Sequence, residues 1–144
     1  MLIGIDPLLG PELLSVLRAM GHGDEVAIVD GNYPALTDAK RLIRADGHGL
    51  IPVLTAILSV LPIDTFVPEA IFRAVNAKTP DQPDQVHREI EATCRDMVPE
   101  HRVVPLAPEL FYSRVKAAHA IVATSGPRFY GNVILRKGVI GGVV

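Results

Sequence analysis

Apolar side chains alternate along this chain between helical and strand spacing, and the first changeover falls near residue 20. Leu13, Leu14, Leu17 and Met20 share one helical face behind Pro11, which suits a first helical position, so a helix is predicted over residues 11–20. Gly21 suits the left-handed residue that ends many helices, which places His22 just past a helix C-terminus. Residues 25–29 read as a buried strand, and Asp30 with Gly31-Asn32-Tyr33-Pro34 as the turn by which it leaves the sheet. Residues 33–41 predict a loop with a short helical turn, and 42–47 a brief strand closed by an Asp-Gly turn. Leu50, Ile51, Leu54, Ile57, Leu58 and Leu61 then recur at helical spacing behind Gly49, with Pro52 in the tolerated first turn.

Residues 65–67 and 70–75 read as extended segments separated by Pro68, and 76–83 as a polar, proline-broken loop expected to be mobile. From Asp84, the residues Val86, Ile90, Cys94 and Met97 form one stripe while Gln85, Arg88, Glu89, Glu91 and Arg95 cover the rest, which predicts an amphipathic helix. A strand is expected at 102–106, a helix opening at Pro108 with Leu110, Phe111 and Val115, and a further strand at 118–124. A turn at 125–128, a last strand at 131–136 and a glycine-broken apolar tail at 138–144 complete the chain. Helices alternating with strands predict one α/β domain over 1–144, its sheet covered on both faces.

Composition sharpens this picture. The 144 residues are 49% hydrophobic but only 5% aromatic, so aliphatic side chains must fill the core. Charged residues make up 21%, a low share that leaves room for part of the surface to be covered by another subunit. A net charge of -2 without any lysine or arginine run offers no field for nucleic acid or anionic lipid. One cysteine excludes an intrachain disulfide. With neither a signal-peptide pattern nor an apolar run long enough for a bilayer, a cytoplasmic protein without membrane contact is expected.

The candidate chemistry narrows by elimination. The five histidines are scattered and Cys94 lies on an apolar stripe, so no metal is expected. No Gly-x-Ser-x-Gly elbow is present, and the glycines near 21–23 follow a helix instead of opening one, so no phosphate-bearing cofactor is expected. His87 and His101 have polar neighbours and read as surface residues, His119 as a satisfied strand-edge residue, and His48 at most as the border of a cleft. Acid-base work by His22 with Asp30, Tyr112 and Tyr130 remains. The negative end of a helix dipole favours an imidazolium, so His22 can hold a proton near neutral pH and still release it. The competing interpretation makes His22 a helix cap and Asp30 an Asx-turn. Because His22 and Asp30 flank one strand, they can serve the same cleft only if the turns around them fold back.

Several blocks carry a family resemblance: Pro11-Glu12-Leu13-Leu14, Met20-Gly21-His22-Gly23-Asp24-Glu25, Asp30-Gly31-Asn32-Tyr33-Pro34-Ala35, Ile43-Arg44-Ala45-Asp46-Gly47, Leu61-Pro62-Ile63-Asp64-Thr65, Phe111-Tyr112-Ser113-Arg114 and the run from Tyr130 to Val139. In this order they resemble the fucose mutarotase and ribose pyranase family, on its fucose branch. The resemblance implies a three-layer α/β/α domain with a mixed sheet, assembled into ring-like homo-oligomers, often decamers, with a monosaccharide bound near subunit contacts. It places the catalytic histidine on His22, its acidic partner on Asp30, and a tyrosine and an asparagine on Tyr130 and Asn132. Tyr112, Arg44 and Asp46 would bound the sugar, although an exposed ion pair at a turn also accounts for the last two. The chain departs from the family where a basic residue is replaced by Pro108 and a Gly-Glu turn by Ser125-Gly126-Pro127-Arg128, which bears on the choice of sugar. A mutarotase, a non-catalytic sugar-binding or transport-accessory protein, and a ring-forming scaffold are the functions this leaves.

Overall fold

A computed structural model describes residues 1–142. At its centre lies β1 (Glu25–Val29), whose side chains alternate between two apolar clusters, Val26 and Ile28 facing one and Ala27 and Val29 the other. A strand buried on both faces has no polar side, which is why 26–29 is a continuous apolar run. β2 (Leu42–Ala45), β3 (Ile71–Arg73), β4 (Val103–Pro105), β5 (Ala120–Thr124) and β6 (Val133–Arg136) complete a sheet of order β2-β5-β1-β6-β3-β4. β6 runs against its neighbours β1 and β3, while β1, β2 and β5 are parallel, as are β3 and β4. One face is covered by α1 (Pro11–Ala19), α3 (Leu50–Leu58) and α4 (Gln85–Met97), through Leu13, Leu17, Leu54, Ile57, Ile90 and Cys94. The other carries α2 (Ala35–Asp38) and α5 (Pro108–Ala117), through Ala35, Phe111 and Val115. The expected α/β/α layering with a mixed sheet is therefore present. No described helix is long and apolar enough to cross a membrane.

Four local expectations are corrected. Residues 65–67 form no strand, because Asp64 Oδ1 accepts the Phe66 N–H at 3.0 Å and turns the chain; only Ile63 pairs there, in a single bridge to Lys137. α1 does not end on a left-handed Gly21: Met20 is already extended, and the left-handed residue is Gly23 at φ +84°. There the backbone favours glycine, and an added Cβ would stand 3.0 Å from Arg136 Nη2, which would have to shift slightly. His87 is fully buried, and the His101 side chain is largely covered, so neither is a surface residue. His119 is not satisfied either, since its buried Nε2 has no partner among the described residues. Of the apolar tail, Val143 and Val144 lie outside the described residues, and Ile140 is exposed on this chain alone.

Candidate active site

The carboxyl ends of β1 and β3 and the start of the antiparallel β6 between them meet at one end of the sheet's strands, and open α/β sheets commonly bind ligands beyond the carboxyl ends of their strands. There an open cleft of about 750 Å³ is lined by Asp30, Asn32, Tyr33, Tyr112, Tyr130 and Asn132, with Asp38, Asn76, Lys78, Lys116 and Phe129 around them. Asp30 is 7% exposed, and its Oδ1 accepts the Asn32 N–H at 2.8 Å, the expected Asx-turn. Asn132 Oδ1 accepts the Asp30 N–H at 2.8 Å, which ties the start of β6 to the end of β1 and leaves the amide NH2 of Asn132 as a donor for a ligand. Tyr33 stacks on Tyr112 with ring centres 5.8 Å apart and donates its hydroxyl to Asp38 at 2.7 Å. Burial, then the hydrogen bond and charge of Asp38, push the Tyr33 phenol far up; burial, then the charge of Asp30, raise Tyr112. Both phenols therefore stay protonated, as donors on an aromatic wall.

The opposite end of β1 carries a different arrangement. His22 Nε2 lies 3.0 Å from Oδ1 of Asp64, a carboxylate with no solvent exposure, whose Oδ2 accepts Arg136 Nε at 2.8 Å. Burial alone would push the Asp64 carboxyl up, but hydrogen bonds from Arg136, the Phe66 N–H and His22 outweigh it and hold the group at about 2. An ionised carboxylate only accepts, so Nε2 of His22 carries the proton, and the neutral ring offers Nδ1 as its basic atom. Phe66 packs edge-to-face on the ring at 4.9 Å and is itself 69% exposed. The helix-cap role considered for His22 belongs to Lys137, whose Nζ donates to the carbonyls of Leu17 and Met20 at 2.7 Å each.

Asp30, Tyr112, Tyr130 and Asn132 thus share one cleft, and His22 does not join them within the chain. The five residues of β1 alone separate the two ends by roughly 16 Å at the usual strand rise. The carboxylate against His22 is Asp64, so Asp30 is not its partner within one protomer. Arg44 and Asp46 form a bidentate, exposed ion pair at 2.8 and 2.9 Å and border a separate depression with His48. Pro108 opens α5 and does not line the cleft, where Lys78 and Lys116 supply the cations. Asp64, Arg136 and Phe66 were not visible as site residues in the sequence, although Asp64 sits in a block that carries the family resemblance. Among the described residues no three His, Cys, Asp or Glu side chains are grouped to hold a metal ion.

The signature of the RbsD / FucU transport protein family matches residues 3–140. The chain belongs to this family. Human fucose mutarotase is 41% identical over 143 residues, covering 95% of this chain and 93% of the human protein. Two solved members have the same fold: FucU of Bifidobacterium longum (TM-score 0.89, 33% identity, 96% of this chain and 99% of that one) and the fucose mutarotase of Streptococcus pneumoniae in complex with L-fucose (TM-score 0.84, 38% identity, 97% and 100%). The resemblance drawn from the seven sequence blocks therefore holds over nearly the whole chain, and family membership now accounts for the order in which they occur.

Proposed function

We propose that this RbsD/FucU-family protein is a mutarotase that interconverts the anomers of a free monosaccharide, L-fucose or a sugar built like it. Relatives named fucose mutarotase at about 40% identity support the reaction class. The observation that carries the mechanism is the division of polar chemistry between the two ends of β1. The cleft holds two carboxylates, three tyrosines and three asparagines but no histidine among its described lining residues, while His22 waits, oriented by Asp64, at the far end. We assign the two ends to one site shared between copies of the chain, with His22 and Phe66 of one protomer entering the cleft of the next. Phe66 beside His22 and Phe129 beside Tyr130 are 69% and 71% exposed, apolar surface at the two places such a contact requires. A ring-like homo-oligomer, a decamer on the family resemblance, closes this arrangement, and the cytoplasm is where such an enzyme would meet free sugar.

In the shared site the anomeric hydroxyl gives its proton to a base, the bond from the anomeric carbon to the ring oxygen breaks, and the ring oxygen takes up a proton. The open aldehyde rotates, and the steps run in reverse on its other face. His22 Nδ1 is the proton-transfer atom, with Asp64 fixing its tautomer. Asp30 and the Tyr130 phenol hold the hydroxyls around the reacting carbon, the Asn132 amide donates to a neighbouring oxygen, and Tyr33 and Tyr112 offer an aromatic wall. No step needs a metal or a nucleotide. Saturation transfer between the anomeric proton signals of L-fucose tests this reading. Transfer accelerated by the purified protein supports it, whereas line broadening without transfer identifies a sugar-binding protein, the role that fits the transport description of the family.

A further inference from the structure

Tyr130 has φ +60° and is the single non-glycine residue with positive φ among those described. A tyrosine in this region is strained and stays there only when its surroundings hold it. Its carbonyl accepts the Asn132 N–H at 2.9 Å and lies 3.1 Å from Nε2 of His87, a side chain of α4 with no solvent exposure. The other ring nitrogen of His87, Nδ1, accepts the Asp84 N–H at 3.0 Å and closes the capping box that starts α4. With Nδ1 accepting, the neutral imidazole carries its proton on Nε2, aimed at the Tyr130 carbonyl. Burial, the largest influence, pushes the His87 pKa down, and Arg73 on β3 adds to this against the Tyr130 carbonyl, the capping Asp84 and Glu91 on α4. A capping box needs only an acceptor at this position, commonly Glu or Gln, and a glutamate carboxylate has no proton to donate to a carbonyl. Gly131 lets the loop come this close, since a Cβ there would stand 3.1 Å from the Arg128 carbonyl oxygen and 3.2 Å from Val86 Cγ2.

We infer that His87 is a positioning residue for the cleft: its Nε2–H clamps the Tyr130 carbonyl, holds the left-handed backbone and so aims the Tyr130 phenol at the sugar. The inference rests on the mutarotase reading for its kinetic consequence, but its structural content does not. Two substitutions separate the clamp from the cap. The side-chain amide of His87→Asn reaches the place of Nδ1 and keeps the Asp84 cap without reaching Tyr130. His87→Gln reaches the place of Nε2 and can donate to the carbonyl. The expected result is a loss of roughly tenfold or more in anomer exchange for His87→Asn, mainly in kcat, with most of the rate retained in His87→Gln. In a Tyr130→Phe background, His87→Asn should cost little further, because the group it positions is already gone. A crystal structure of His87→Asn should show Tyr130 outside the left-handed region. Equal losses in both variants, full additivity with Tyr130→Phe, or a Tyr130 that stays near φ +60° in His87→Asn would overturn the inference. Should the wild-type protein fail to exchange anomers, the functional reading falls, and the backbone of Tyr130 in the His87→Asn crystal still decides the role of His87.

Discussion

At the amino end of β1, Asp64 is fully buried, ionised and surrounded by three donors, and it holds one half-exposed imidazole by a single contact. At the carboxyl end, Asp30, Tyr112, Tyr130 and Asn132 face an open cleft with aromatic walls, and the backbone is strained at Tyr130. The first end fixes a proton-transfer atom and provides no walls for a sugar. The second provides walls and hydroxyl partners and no imidazole. A rigid strand keeps the two apart in one chain, so the same rigidity that prevents an intrachain site presents both halves, fixed in direction, to neighbouring copies.

The sharpest way to break the comparison is at the amino end. His22→Ala should lower anomer exchange by roughly a hundredfold or more, the scale of a lost positioned acid-base group, while sugar still binds in the cleft. A folded His22→Ala protein with near-normal exchange would move the proton shuttle to the cleft itself. Tyr130→Phe should lose less, about ten- to a hundredfold, because it removes one hydroxyl from a site that keeps its imidazole; steady-state exchange measured against sugar concentration separates this loss into kcat and KM. A stability measurement sharpens the contrast between the buried and the open carboxylate. The Asp64 value of about 2 lies below the ordinary carboxylate value near 4, so its contribution to stability is complete above about pH 4 and is lost as pH falls toward 2. Denaturant titrations across that range should show a decline in the wild type that flattens in Asp64→Asn, and an unchanged acid limb in the variant would remove the Asp64 charge from the account. The smallest effect is expected outside both ends: Arg44→Ala and Asp46→Ala should leave both exchange and the denaturation midpoint close to wild type, as the loss of an exposed ion pair usually does.

The fold was legible because its periods are strong. Four apolar residues in sequence from Val26 imply a strand covered on both faces, and the stripe of Val86, Ile90 and Cys94 implies the helix that covers one of them. His87 reads as a surface residue in sequence because Gln85, Arg88 and Glu89 surround it, yet it stands beside Val86 and three residues before Ile90, at the margin of the buried stripe. The Asp84-x-x-His87 spacing of a capping box was the available signal. Asp64 is not legible as a site residue for another reason: it lies 42 residues from His22 in a segment without periodicity, and such a pairing is made by the sheet and leaves no local trace. Asp30, Tyr112, Tyr130 and Asn132 were proposed together through the family resemblance and the search for acid-base partners, and the structure brings them to one cleft. Spacing along the chain alone does not bring an aspartate at 30 to an asparagine at 132.

The central claim, one site assembled from the two ends of β1 on neighbouring copies, is tested most directly by complementation. His22→Ala retains an intact cleft, and the double variant Asp30→Asn, Tyr130→Phe retains an intact His22; each alone should be nearly inactive. When the two are unfolded together in equal amounts and reassembled, random mixing in a closed symmetric oligomer makes about a quarter of the sites whole, and exchange should recover to about that fraction of the wild-type rate. Mixed oligomers verified by mass spectrometry that regain no exchange would contradict the shared site and confine catalysis to the groups of a single chain.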